Sequence, residues 1–162
     1  MSNFKIRTCK QKDIEILVET IQKSFRDMAE RFDLTPENAL RHPSNCRAEW
    51  IKADMERGVI YFALENEGRI AGCVACEQAS EKICYLERLA VLPEQRKRGF
   101  GRALVNRVLS KARELGVERV NIGIISKHTE LKDWYSKIGF VEGESKTFPH
   151  LPFQITFMSF KL

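Results

Sequence analysis

Along the chain the spacing of apolar positions changes period several times, and each change marks an element. Phe4 to Thr8 alternates apolar and charged residues, the period of a strand with one wet face. From Ile14 the period lengthens. Ile14, Leu17, Val18, Ile21, Phe25 and Met28 form a helical stripe, and Asp13 stands where negative charge favours the helix dipole. Thr35-Pro36 predicts a short second helix, with Thr as N-cap and Pro in the first turn, broken at Pro43-Ser44. Ser44 is expected to cap a third helix that carries Trp50, Ile51 and Met55 and closes at Gly58.

Val59 to Leu64 is a dense apolar run ending in the turn signal Asn66-Glu67-Gly68, which predicts a hairpin whose second strand is Ile70 to Cys76. A third strand, Cys84 to Leu92, follows the polar turn at Ser80-Glu81-Lys82 and stops at Pro93. The next helix has the stripe Leu104, Val105, Val108, Leu109, Ala112 and Leu115, closed by Gly116. Arg119 to Ile125 reads as a strand, Thr129 to Ile138 as a helix ended by Gly139, and Phe140 to Glu142 and Phe153 to Phe160 as closing strands. The order predicts an α/β (α+β) fold with one mixed, mostly antiparallel sheet flanked by helices. The unit from Cys84 through Ile125 is its parallel crossover. A length of 162 residues suits a single domain spanning 1–162, without internal repeats.

Composition narrows the classes. With 43% apolar and 30% charged residues the chain has the balance of a globular protein rather than a disordered one. No apolar run approaches the roughly 20 residues of a membrane span. The opening Met1-Ser2-Asn3-Phe4-Lys5 lacks the apolar core of a secretion signal, so a cytoplasmic location is expected. Five cysteines without paired spacing predict reduced, buried thiols. Cys73 and Cys76 form a C-x-x-C inside a strand, where the odd spacing sends the two sulfurs to opposite faces and argues against zinc or redox chemistry. The three histidines have no ligand spacing, so no metal is expected. Of these, His42 reads as loop surface.

The net charge of +5 fits an anionic partner of any class, and its placement is more telling. Much of it sits in Leu89-Ala90-Val91-Leu92-Pro93-Glu94-Gln95-Arg96-Lys97-Arg98-Gly99-Phe100-Gly101-Arg102-Ala103-Leu104. Here an apolar strand and a short basic loop with two glycines lead into an amphipathic helix. Glycines let backbone approach a ligand, and the unpaired N–H groups of a helix N-terminus favour a phosphate. A dinucleotide fingerprint fails because Leu104 stands where its third glycine belongs, and a Walker loop lacks its Gly-Lys-Ser/Thr ending. Nucleic-acid binding is disfavoured because Phe100 is the loop's one candidate stacking aromatic.

This segment, with its R-x-x-G-x-G, resembles the acetyl-coenzyme A motif of the GNAT superfamily of N-acetyltransferases. The resemblance implies a GNAT fold and a cofactor site formed by Leu89, Ala90, Val91, Arg96, Lys97, Arg98, Gly99, Phe100, Gly101, Arg102 and Ala103. Leu131-Lys132-Asp133-Trp134-Tyr135-Ser136-Lys137-Ile138-Gly139-Phe140 is similar to the family's late helix, which makes Tyr135 the acid that protonates the departing thiolate. Many relatives carry Asn seven residues before this Tyr and a small residue four before it. This chain has His128, assigned to the cofactor site, and Leu131.

On the strand Tyr85 to Val91, period-two alternation predicts Tyr85, Glu87, Leu89 and Val91 on one face. By the resemblance, Glu87 or water takes the proton of the amine, and backbone N–H groups near Leu89 and Ala90 hold the thioester oxygen. His150 belongs to a loop that in this family tends to border the acceptor. The implied partners are acetyl-coenzyme A and an amine, with a homodimer compatible. The alternative is a coenzyme A-binding regulatory domain without catalysis. The acceptor stays open among a small amine, an amino acid, an antibiotic and a protein lysine.

Overall fold

Strand β1 (Phe4–Thr8), the hairpin β2 (Ile60–Asn66) and β3 (Arg69–Gln78), and β4 (Ile83–Val91) form one half of a seven-stranded sheet among the described residues. Strands β5 (Arg119–Ile125), β7 (Gln154–Lys161) and β6 (Val141–Thr147) form the other half, in the order β1-β2-β3-β4-β5-β7-β6. The computed structural model describes residues 3–162. Met1 and Ser2, which open the stretch read for a secretion signal, lie outside the described residues. All pairings are antiparallel except β4 with β5, the expected crossover. The β2–β3 turn places Glu67 and Gly68 both at positive φ, 53° and 77°, the backbone twist that suits a tight hairpin.

Two apolar layers follow from the alternation of the central strands. On β2, Tyr61 and Ala63 face helices α1 (Ile14–Arg31) and α2 (Ala48–Glu56), meeting Leu17, Ile21 and Ile51. Phe62 and Leu64 face the other way, toward α3 (Phe100–Leu115), where Leu104, Val105 and Val108 are fully buried. Helix α4 (Thr129–Ile138) adds Tyr135 to that second layer. Cys73 lies in the first layer and Cys76 in the second, as the odd spacing requires, and all five thiols are free and buried.

Three expectations are corrected. The helix predicted at Thr35-Pro36 is a set of turns. The Asn38 side chain accepts from the Thr35 N–H and donates to the Asp33 carbonyl, and these local bonds replace a helical ladder. Ser44 does not cap a helix either, for it sits in the single 3₁₀ turn Pro43–Asn45, and α2 starts after Arg47 without a side-chain cap. Strand β6 runs to Thr147, beyond the predicted Glu142; every residue along it is exposed, so pairing with β7 sets its length and apolar alternation does not.

Gly72 on β3 lies opposite Val91. A methyl group there would stand 2.5 Å from the Ala90 carbonyl oxygen and 3.2 Å from Leu104 Cδ1. Gly72→Ala is expected to cost about 3 kcal/mol, the upper range for overpacking, and to lower the melting temperature by roughly 6–12 °C. Thermal unfolding checks this, and an unchanged midpoint would mean that the strand pair yields freely.

Candidate active site

The parallel pairing of β4 and β5 covers only Ile83 to Tyr85 against Arg119 to Asn121, after which the strands part. A cleft of about 1160 Å³ opens there, bordered by α1, the segment around Ala39 to Pro43, the start of α3, α4 and the loop at His150 and Leu151. From Leu86 to Val91 the edge of β4 toward β5 has no ladder partner, so backbone polar groups face the cleft.

A bulge re-aims the side chains of this stretch. The β3–β4 register jumps from Ala75↔Glu87 to Cys73↔Ala90, and Arg88 takes up φ 51°. This corrects the period-two reading. Tyr85 and Glu87 lie with Ala75 toward α1 and α2, whereas Leu89 and Val91 pack with the α3 layer. Arg88 also turns toward α2, where it bonds the buried Asp54 and the Tyr61 hydroxyl; that hydroxyl donates to Asp54 Oδ2 at 2.6 Å. Asp54 accepts from Arg57 as well, which also holds Glu77 on β3.

Glu87 is the diagonal neighbour of Glu77 on this face, since Ala75 pairs with Glu87 and Glu77 with Tyr85. Burial, then the adjacent Glu77 carboxyl, pushes the Glu87 carboxyl up to about 8. A half-buried carboxyl held there titrates within the working range of a general base.

After a 3₁₀ turn at Pro93–Gln95 the basic loop climbs through Lys97 at φ 64° to Gly99 at φ 82°, the left-handed N-cap of α3. The first N–H bonded back across this helix start is that of Ala103, to the Gly99 carbonyl at 3.0 Å. The N–H groups of Lys97, Arg98, Gly99, Phe100, Gly101 and Arg102 therefore have no backbone partner among the described residues. No side chain caps them, and no acid occupies the first turn. Such a row of N–H groups at a positive helix end is built for an oxyanion. A Cβ on Gly99 would meet nothing within 4 Å, so the loop is open on its outer side. Gly101 is tighter, its Cβ position lying 3.4 Å from Trp134 of α4, and Ala103 packs at the edge of the core.

Arg96 lines the cleft and is also held from the side by α1. Its guanidinium reaches Asp27 at 2.6 Å and the Ser24 carbonyl at 2.7 Å, tying α1 to the basic loop, and it pulls the Asp27 carboxyl down. A second pair, Arg31 with Glu130, ties the end of α1 to α4.

His128 is the N-cap of α4, its Nδ1 accepting from the Leu131 N–H at 3.3 Å, and it also lines the cleft. Tyr135 packs edge-on against Trp134 and Phe140, at 4.9 and 5.2 Å between ring centres. Its ring is buried and its phenol raised by desolvation, yet its hydroxyl bonds nothing among the described residues and is not a shielded orphan, because Tyr135 opens onto the cleft.

The cleft thus brings together Glu87, Leu89, Ala90, Val91, Arg96, Lys97, the four residues from Gly99 to Arg102, His128 and Tyr135; of the predicted site residues, Arg98 and Ala103 do not line it. Sequence reasoning missed Arg41 and His42. His42 is 8% exposed, not loop surface, and lines the cleft; nothing in its spacing announced this, since Phe25 of α1 covers the ring. No three His, Cys, Asp or Glu side chains among the described residues gather as a metal site, and no helix there is long and apolar enough to cross a membrane.

Residues 19–140 match the model of the acetyltransferase (GNAT) family. The chain belongs to that family. GNAT relatives include the amino-acid acetyltransferase of Neisseria meningitidis, 29% identical over 90 residues, which is 55% of this chain but 20% of that protein. An uncharacterised N-acetyltransferase of Methanocaldococcus jannaschii is 23% identical over 89% of this chain and 63% of its own length. Two solved structures share the fold. One is yncA of Salmonella typhimurium with its cofactor acetyl-CoA, at TM-score 0.73 and 20% identity, covering 99% of this chain and 95% of that one. The other is the PaiA N-acetyltransferase of Thermoplasma acidophilum in complex with coenzyme A, at TM-score 0.75 and 15% identity, covering 99% of both chains.

Proposed function

We propose that this chain transfers the acetyl group of acetyl-coenzyme A to an amine. The observation that carries the reading is the row of six free N–H groups from Lys97 to Arg102 at the mouth of a cleft that Glu87 and Tyr135 also line. The row fits a pyrophosphate, which the nearby Lys97, Arg98 and Arg102 side chains neutralise further. Leu89, Ala90 and Val91, on the open edge of β4, hold the pantetheine arm and acyl oxygen through backbone groups. Phe100, Gly101 and Ala103 shape the helix start, Arg96 fixes the loop against α1, and His128 borders the arm while capping α4. When bound, the cosubstrate supplies an activated acetyl thioester.

Within this arrangement Glu87, directly or through water, removes a proton from the amine nitrogen. A carbon–nitrogen bond forms, the carbon–sulfur bond breaks, and the Tyr135 hydroxyl gives its proton to the sulfur. Holding both reactants in one cleft supplies proximity. A cofactor-binding module without chemistry would not need a raised carboxyl and a free phenol on the same cleft.

The test is acetyl transfer against pH. A base works when ionised, so with Glu87 pushed up to about 8 the rate should climb through that pH. Glu77→Gln removes a neighbouring carboxyl that raises Glu87, so the limb should move to lower pH. Glu87→Gln should erase the limb and lower the plateau by about a hundredfold. Comparing variants on one amine cancels the amine's own titration. A limb unmoved in both variants would pass the proton to water alone.

A further inference from the structure

The cations lining the cleft differ in what holds them. Arg31 is paired with Glu130, Arg88 with Asp54 and Arg96 with Asp27. Arg41 has no carboxylate within ion-pair distance among the described residues, although Glu37 also lines the cleft. Its guanidinium instead lies over the Trp50 ring, 4.5 Å from the centroid. The same ring is 5.8 Å from the Arg88 guanidinium, so the stack holds Arg41 near the bulge that carries Glu87. Stacking fixes the guanidinium plane and leaves its edge donors free.

The next residue adds a second donor. His42 Nδ1 accepts from the Ser44 N–H at 3.3 Å and lies 2.7 Å from its hydroxyl. The proton of the neutral ring is then on Nε2, which is buried with no hydrogen-bond partner. Burial among Phe25 and the turn at Pro43 pushes the ring down to about 4, so it stays neutral at physiological pH.

Adjacent residues thus hold a free guanidinium edge in the cleft lining and, shielded just behind that lining, an N–H without an acceptor. Donors left over in this way match an oxyanion. One cation and one neutral N–H balance a single negative charge; a phosphate would ask for another cation, and Arg31, Arg88 and Arg96 are taken by carboxylates, while the unpaired Lys97 and Arg102 stand at the start of α3, where the acetyl-transfer reading seats the cofactor's phosphates. A polyamine would need several free carboxylates, and on this side the cleft offers only Glu37 and Glu87 among the described residues.

We propose that the acceptor is an amine that also carries a carboxylate, which Arg41 binds through its guanidinium with the Nε2–H of His42 as the second donor. The inference rests on the acetyl-transfer reading. Its test pairs glycine, β-alanine and 4-aminobutyrate with their amides, with 2-aminoethylphosphate as the phosphate arm. At least one acid should exceed its amide at least about tenfold in kcat/KM. Arg41→Ala should cut the acid about thirtyfold, through KM, and leave the amide within about twofold, the loss expected for hydrogen bonds to a charged group. Arg41→Lys should recover part of it, and His42→Phe, which keeps a ring against Phe25, should raise KM for the acid several-fold.

Amides that match every acid, a preference for the phosphate, or an Arg41→Ala loss shared equally by acid and amide would overturn the proposal. If no amine, inside this set or in a wider panel of amines and lysine peptides, is acetylated, the acetyl-transfer reading has failed. Calorimetry of the coenzyme A-loaded protein with N-acetylglycine and N-acetylglycinamide then decides the carboxylate site. Tighter binding of the acid, lost in Arg41→Ala, supports the site, and equal binding refutes it.

Discussion

Gly99→Asp is expected to abolish coenzyme A binding in a protein that still folds. The position has room for the side chain, because a Cβ meets nothing within 4 Å, and at φ 82° Asp is strained less than most residues. What changes is charge. The carboxylate stands at the N-cap of α3, beside the free N–H groups that a phosphate would use, and like-charge juxtaposition costs several kcal/mol, so affinity should fall by about a hundredfold or more. The readout is the melting temperature with and without coenzyme A. At 100 times its dissociation constant a ligand adds about 2.7 kcal/mol to the wild type. A hundredfold weaker variant should keep at most about 0.4 kcal/mol of this at the same concentration, and an undiminished shift would place the cofactor elsewhere.

The second large effect is expected from Tyr135→Phe. The ring is held by Trp134 and Phe140, and no hydrogen-bond partner among the described residues is stranded when the hydroxyl goes. Fold and cofactor affinity should survive. Desolvation raises the phenol, so it is protonated at neutral pH, as a donor to sulfur must be. A positioned acid contributes about 10²- to 10⁴-fold. A thiolate is already a fair leaving group, so the lower end applies and kcat should drop about a hundredfold. Retention of more than about half the wild-type kcat, where chemistry limits the rate, would make Tyr135 a packing residue.

Much of this site is legible in the sequence because its chemistry is local. The N-cap at Gly99 and the row of N–H groups behind it are fixed by consecutive residues, and so is the distance from Tyr135 to Gly139. The element order is legible for the same reason, since the stripes of α1 and α3 each bury against one sheet face. What stays hidden depends on tertiary contact. Alternation cannot announce the bulge at Arg88, because Asp54 and Tyr61, far away in the chain, hold that side chain. The motif assigns Arg96 to the cofactor site, but it cannot announce the carboxylate partner, Asp27, which lies on α1. The turns from Thr35 to Asn45 carry helix signals that local side-chain bonds override, and this same segment bears Arg41 and His42.

The central claim is acetyl transfer to an amine within this cleft. The most direct measurement follows free thiol from acetyl-coenzyme A and acetylated amine by mass spectrometry in the same reaction. The account predicts that both appear in equal amounts, only with an amine present, and that Gly99→Asp suppresses both. Thiol release without acetylated amine, or no release from a protein whose melting temperature responds to coenzyme A, would contradict it.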